Sequence, residues 1–244
     1  MYLIVGFMED RQSNQQLAPN LQDLLRTAAF FSELPEASRQ IAFSHAVVRN
    51  HPANQMILLE NDWGGSVYFV LSGWLKIRTY NVDGKEITLN IVGQGEIVGE
   101  MAAIDQAPRS TDVLSLTATT IANVPADDFI QLLKVEPMAG LKLSQLMGRR
   151  LRQVNRRLRL RESNSSSRVA DTLIFLAEGQ GTNINSSKGA EIPNFPHREL
   201  SSMSGLARET VTRVLTKLEK DGLIIRSHDK VTIPDLAALE ASIF

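Results

Sequence analysis

The chain has 244 residues, 43% hydrophobic and 22% charged, with a formal net charge of −1. That length suits two domains and a connector, and that composition suits a soluble globular protein with ample buried core. The absence of cysteine excludes disulfides, iron–sulfur clusters and thiolate zinc sites, and nothing calls for an oxidising compartment.

The opening apolar run, residues 1–8, is short and lacks a basic flank before Glu9-Asp10. It neither spans a bilayer nor reads as a secretion signal, so a cytoplasmic protein without membrane attachment is expected. Residues 1–20, with the polar "RQSNQQ", are expected to form a mobile arm. From about Leu21 to Val48, apolar residues at mixed three-and-four spacing (Leu24, Leu25, Phe30, Phe31, Ile41, Phe43) predict short helices. From Met56 to Val124 the pattern changes to runs such as "VYFVLSGWLKIRTY" and "KEITLNIV", rich in β-branched and aromatic residues and broken by glycine. Asp83-Gly84 between two of these runs predicts a hairpin, and the segment reads as an antiparallel sandwich or barrel.

Within it lies "GEIVGEMAAIDQAPRST", Gly95 to Thr111, which holds two glycines, the Glu100 carboxylate and Arg109-Ser110-Thr111. On its own this stretch reads as a hairpin braced by a Glu100–Arg109 ion pair, or as a cradle for an anion.

Near Pro137 the period switches to that of one long helix, with Leu143, Met147, Leu151, Val154 and Leu158 in a single stripe. So narrow a stripe suits a two-helix seam with a second copy of the chain; packing against the chain's own β domain is the other reading. Seven arginines lie in the same helix: 149, 150, 152, 156, 157, 159 and 161. Residues 137–168 carry nine Lys+Arg against one Asp+Glu, whereas residues 1–136 carry nine against sixteen and residues 169–244 eight against ten. The arginines are expected mainly to solvate the outer helix faces, or to raise the potential near an anion. Glu162–Ser167 reads as a hinge, with a serine capping the next helix, "RVADTLIFLAEG".

Gly179 to Asn194 is polar and turn-rich. Beyond it, Leu200, Met203 and Leu206 bracket a turn at Gly205, and a second helix gathers Val211, Val214, Leu215 and Leu218 on one face. "LIIRSHDKVTI" then reads as a two-stranded wing, completing a winged helix-turn-helix. Glu209, Thr212, Arg213 and Thr216 point away from the apolar face. Arginine there can pair with guanine N7 and O6, and glutamate with the N4 amine of cytosine; Thr210, Thr212 and Lys217 suit phosphates. An amphipathic helix with a solvated face is the plainer alternative, its Glu209–Arg213 pair being local. His45, His51, His197 and His228 are scattered singly and read as surface or packing residues. No metal-ligand spacing and no nucleophile–base pair is visible, so no metal and no enzyme activity are expected.

"GEM…APRST" and, later in the chain, "GLARETVTRVLTKLEKDGLI" resemble the two signature motifs of the Crp/Fnr family of bacterial transcription regulators, over about residues 28 to 235. The resemblance implies an α+β fold: an N-terminal antiparallel β-roll of jelly-roll type (residues 21–136), a dimerisation helix (137–162), a hinge (163–168) and a C-terminal winged helix-turn-helix (169–244). It implies a cyclic-AMP-responsive homodimer that reads palindromic TGTGA-like DNA and meets RNA polymerase. By the match, Gly99, Glu100, Met101, Arg109, Ser110 and Thr111 bind the nucleotide: Arg109 and Ser110 at the phosphate, Glu100 at the ribose 2′-OH. Arg208, Glu209 and Arg213 read bases, with Arg198, Thr210, Thr212 and Lys217 beside them.

Two departures stand out. Ala207 occupies a place where the family commonly has a capping serine. "RQVNRR" replaces the adjacent threonine and serine that reach adenine in the family's cyclic-AMP sensors, leaving Gln153 and Asn155 as polar candidates. An amide serves adenine or guanine, so cyclic GMP, 2-oxoglutarate, haem ligands or no effector at all are the alternative inputs.

Overall fold

The computed structural model describes residues 30–31, 33–180, 182–184 and 189–243. The expected N-terminal arm lies outside the described residues, as does the helical segment expected before Phe30. The chain divides into two units: residues 1–76 with 92–145, and residues 77–91 with 146–244.

The first unit is built around antiparallel strands. It begins with α1 (Glu36–Phe43), β1 (Val47–His51), β2 (Met56–Leu58) and β3 (Ser66–Ser72). Next in the chain is the hairpin β4 (Leu75–Tyr80) and β5 (Glu86–Val92), most of which, residues 77–91, belongs to the second unit; its turn is closed by the Asn81 amide on the Lys85 carbonyl at 3.0 Å. Then come β6 (Ile97–Val98), α2 (Glu100–Asp105), β7 (Asp112–Ser115), β8 (Thr119–Pro125) and α3 (Ala126–Val135). Two four-stranded sheets run in the orders β1-β8-β3-β6 and β2-β7-β4-β5. In β3 the residues Val67, Phe69, Val70 and Leu71 are all buried, because both faces of this central strand are covered. Phe30, Phe31, Phe43, Phe69 and Phe129 form one aromatic cluster with ring centroids 4.8 to 6.2 Å apart, bringing α1, β3 and α3 together.

The sequence expectation is incomplete here in two places. Val47 and Val48, placed in a helical stretch, begin β1, where cross-strand pairing with β8 decides the conformation. The stretch Gly95 to Thr111, read as a hairpin or an anion cradle, contains the short helix α2, starting at Glu100 directly after Gly99.

The long helix α4 (Pro137–Leu160) carries the expected stripe. Leu143 is buried, but Leu151, Val154 and Leu158 are 61%, 53% and 62% exposed, an apolar row open along the C-terminal half of the helix. Helix α4 stops at Leu160, and α5 (Ser165–Gln180) starts three residues earlier than the sequence suggests. Its cap is Asn164, not a serine: the Asn164 Oδ1 accepts from the Ser167 amide at 3.0 Å.

Arg149, Arg152, Arg159 and Arg161 are solvated as expected, but Arg156 and Arg157 are not. Arg156 Nε lies 2.5 Å from Asp171 Oδ1, and its Nη1 lies 3.2 Å from Glu178. The Arg157 guanidinium stacks 4.0 Å from the Phe175 ring centroid and donates to the Leu89 carbonyl. Burial pushes Arg157 down to about 10, against the pull of Asp171, and burial likewise raises the Asp171 carboxyl above its usual range despite Arg156 and Arg157. These two arginines fasten α4 to α5, a use that a polar run cannot announce.

The rest of the second unit comprises β9 (Thr182–Ile184), β10 (Gly189–Pro193), α6 (His197–Ser204), α7 (Arg208–Lys220), β11 (Ile225–Arg226), β12 (Lys230–Ile233) and α8 (Leu236–Ala241). The expected two-stranded wing, β11 with β12, extends into a four-stranded antiparallel sheet in the order β11-β12-β10-β9. The added strands fall in the segment read as merely turn-rich, where buried Ala190 and Ile192 pair with Ile233 and Val231 of β12, and Ala190 also with Asn183 of β9. Val169, Leu173 and Leu176 of α5 join Leu200, Val211, Val214, Leu215, Leu218, Val231 and Ile233 in the buried core.

Candidate functional site

In the first unit, the stretch from Gly95 to Thr111, the cassette of the first motif, is organised around Arg109, which is only 4% exposed. Its backbone is clamped to the loop before β3: the Arg109 amide donates to the Asp62 carbonyl and the Asn61 amide donates to the Arg109 carbonyl, both at 2.8 Å. Its side chain runs inward, where Nη1 donates to the Gly99 carbonyl at 2.6 Å and Nη2 to the Ser66 carbonyl at 2.7 Å. The guanidinium also lies 5.7 Å from the Tyr68 ring centroid. Those two hydrogen-bonding partners are neutral carbonyls, which fix the guanidinium in place. Two of five N–H donors are used in these bonds, and the charge is buried against carbonyl dipoles.

Two glycines make that placement sterically possible. A Cβ on Gly64 would stand 2.3 Å from Arg109 Nη2, and one on Gly99 would stand 2.6 Å from Nη1. Gly99 also has φ 80, so a side chain there is strained as well as crowded. Gly64, Ser66 and Tyr68 were missed by sequence reasoning; they lie some forty residues before Arg109, and no local pattern joins them to it.

Around this centre Glu100 is buried at 2% exposure, Ser110 is exposed, Thr111 is half-buried and Met101 is 49% exposed. Gln153, half-buried, and Asn155, exposed, lie on α4 within the second unit. Among the described residues no group of His, Asp and Glu side chains could hold a metal ion, and no helix is long and apolar enough to cross a membrane.

In the second unit, α6 and α7 meet at Gly205, which caps α6 in the left-handed conformation with φ 65. Arg168, another residue that the sequence did not single out, reaches from α5 and donates to the Ser204 carbonyl from Nε at 2.9 Å and from Nη2 at 2.5 Å. It satisfies the end of α6 and fixes the turn. Helix α7 buries Val211, Val214, Leu215 and Leu218 as its wheel predicts. Arg208, Glu209, Thr212, Arg213 and Lys217 are exposed on the opposite side, and Thr210 is half-buried. Arg198, at the start of α6, is exposed and donates from Nε to the buried Glu199 at 2.8 Å. Ala207 at the N-cap makes no side-chain cap bond. The wing is held to α7 by Arg226, whose Nη2 and Nε reach Glu219 Oε2 at 2.6 and 3.1 Å, and this bonding lowers the Glu219 pKa.

Residues 48–136 match the cyclic nucleotide-binding domain, and residues 167–242 match the Crp-like helix-turn-helix domain. The chain belongs to the Crp/Fnr family of transcription regulators. This Crp/Fnr regulator is 28% identical over 222 residues to the cyclic AMP receptor protein of Thermus thermophilus, covering 90% of this chain and 99% of that one. Among solved structures it resembles a CRP/FNR-family transcriptional regulator, also from Thermus thermophilus, at 26% identity and a TM-score of 0.60, over 81% of this chain and 98% of the other. The c-di-GMP-responsive regulator of Xanthomonas campestris shares its fold at 24% identity and a TM-score of 0.63, over 82% and 99%. The α+β architecture of antiparallel sheets followed by a helix-turn-helix is thus that of the Crp/Fnr family, and the family is one of DNA-binding regulators rather than enzymes.

Proposed function

We propose that this Crp/Fnr regulator is a cytoplasmic homodimer that responds to cyclic AMP and then binds palindromic TGTGA-like operators, where it meets RNA polymerase. The observation that carries the effector half is the Arg109 guanidinium, buried with neutral carbonyl partners beside the half-exposed backbone of Gly99. A cyclic phosphate brings a negative charge, and Arg109 meets it with N–H donors left over from the two carbonyls. Ser110 adds a hydroxyl donor, Gly99, Met101 and Thr111 line the approach, and Glu100 accepts from the ribose 2′-OH.

On the DNA side, the exposed Arg208, Glu209 and Arg213 are the base readers. Arg198, Thr210 and Lys217 set register on phosphates, with Thr212 beside them. In this reading residues 21–136 form the effector domain, 137–162 the dimerisation helix, 163–168 the hinge and 169–244 the DNA-binding domain. The open row Leu151, Val154 and Leu158 supports dimerisation along α4. Base selection falls to Gln153 and Asn155. Because an amide both donates and accepts, cyclic GMP is the second reading, favoured by Asn155 standing where a hydroxyl pair would discriminate for adenine.

The test is calorimetric titration of the purified protein with cyclic AMP and, separately, cyclic GMP, with Arg109→Leu as the control. Saturable binding of cyclic AMP that the variant loses is the expected result. Heat with neither nucleotide, from a folded dimer, sinks the effector assignment.

A further inference from the structure

His197 is the first residue of α6, and its Nδ1 lies 2.8 Å from Thr212 Oγ1 on α7. The same hydroxyl lies 3.0 Å from the Arg208 carbonyl, to which it donates. A threonine has one hydroxyl proton, so with that proton given to Arg208 it accepts from His197. Nδ1 is therefore the protonated nitrogen of the neutral ring, and Nε2 is the free lone pair. Thr212 is accordingly a positioning residue that sets the tautomer and the ring plane, its hydroxyl already engaged twice before any DNA arrives.

The surroundings of the ring are one-signed. The charges that act on it are Arg226, from β11, and Arg208, from the first turn of α7. Glu219 of α7 is engaged by Arg226 through two side-chain hydrogen bonds. On the histidine's own helix Arg198 and Glu199 are bonded to each other. A half-exposed imidazole that feels two guanidiniums, and that is bonded to the base-reading helix α7 through Thr212, is a place for an anion. The anion that accompanies a base-reading helix is a DNA phosphate.

We propose that His197 binds a phosphate of the operator backbone through Nε2, taking up a proton as the duplex docks, so that DNA binding strengthens as pH falls. The inference rests on the DNA-binding reading above and adds to it a phosphate site and a proton linkage. Without DNA, burial, Arg226 and Arg208 hold the His197 pKa below its ordinary 6.5. A phosphate at Nε2 replaces repulsion by attraction and raises it. By linkage, the ligand whose binding raises a pKa binds more tightly where the group is protonated. The site was not foreseen: His197 reads in the sequence as one of four scattered histidines, and its fifteen-residue separation from Thr212 hides the pairing.

The experiment follows the histidine ring protons by NMR in full-length protein saturated with cyclic AMP. It is run free, with a duplex of about 30 base pairs carrying two TGTGA half-sites, and with a scrambled duplex. Fluorescence anisotropy measures affinity on the same samples. His197 is expected to titrate below 6.5 in the free protein and about one unit higher on either duplex, since phosphates carry no sequence. Affinity is then expected to fall by up to about tenfold per half-site, and so up to about a hundredfold for a dimer on both, between pH 5.5 and pH 8. His197→Gln should flatten that dependence, and Thr212→Val should shrink it while leaving a protonatable ring. A duplex that binds without moving the His197 titration overturns this inference alone. So does a His197→Gln protein that keeps the wild-type pH dependence. A protein that binds neither duplex at any pH overturns the DNA reading and the inference together.

Discussion

Arg109 is a positive charge folded into the protein against carbonyl dipoles, and its place there requires two positions that admit no side chain. Those positions are Gly64 and Gly99, whose absent Cβ atoms are the space that the guanidinium fills. Gly64 gives the sharper test, because its obstacle is contact alone, whereas Gly99 adds a left-handed backbone. Gly64→Ala is expected to drive Arg109 off the Ser66 carbonyl and to weaken cyclic-nucleotide binding by about tenfold or more, the loss of roughly one charge-assisted hydrogen bond. Thermal unfolding of that variant should shift by only a few degrees, because the β core beneath is untouched. Calorimetry on the variant and the wild type measures the first effect, and a melting curve the second.

At the level of elements, α7 starts without the side-chain cap that its position invites. The Ala207 backbone is already extended, with φ −66 and ψ 148, the conformation in which a serine hydroxyl reaches back to the first turn. Ala207→Ser is therefore expected to stabilise the protein by about 1 kcal/mol, read from denaturant unfolding. The junction of α4 with α5 behaves differently. Burial raises the Asp171 pKa in the folded protein, outweighing Arg156 and Arg157. A raised folded pKa means that this group's favourable contribution is complete below the unfolded value near 3.8 and is lost as pH rises through the folded value. Asp171→Asn should consequently gain stability relative to wild type as pH rises from about 4 toward 7, and paired unfolding curves across that range measure the difference. A difference running the other way would mean that the ion pair outweighs its desolvation.

For the whole molecule, the open stripe on α4 and the two separate sites make predictions that no single site makes. Leu151→Glu with Leu158→Glu sets charges in a row that is apolar and more than half exposed in one chain. Sedimentation is expected to show monomer in place of dimer, with the cassette and the winged helix still folded. Effector and operator, if they act through one conformational equilibrium, must also influence each other equally. The factor by which cyclic AMP tightens operator binding is expected to equal the factor by which operator tightens cyclic AMP. Titrating each ligand with and without the other closes the cycle, and unequal factors would show that a further state or ligand takes part.

What the sequence determined by itself was whatever depends on local period and on signature residues. The strand-rich stretch from Met56, the long helix from Pro137, the buried face of α7 and the Crp/Fnr motifs were all legible, because neighbours in the chain create those patterns. Only the tertiary structure decided where β1, β9 and β10 pair, since a short strand is stabilised by a partner distant in sequence. It alone separated Arg156 and Arg157 from their solvated neighbours, set Arg168 under the helix-turn-helix, surrounded Arg109 with Gly64 and Ser66, and joined His197 to Thr212. Each of those contacts unites residues that are far apart in the chain. A charged side chain carries no sign of whether water or another residue will meet it, and that choice is made by packing.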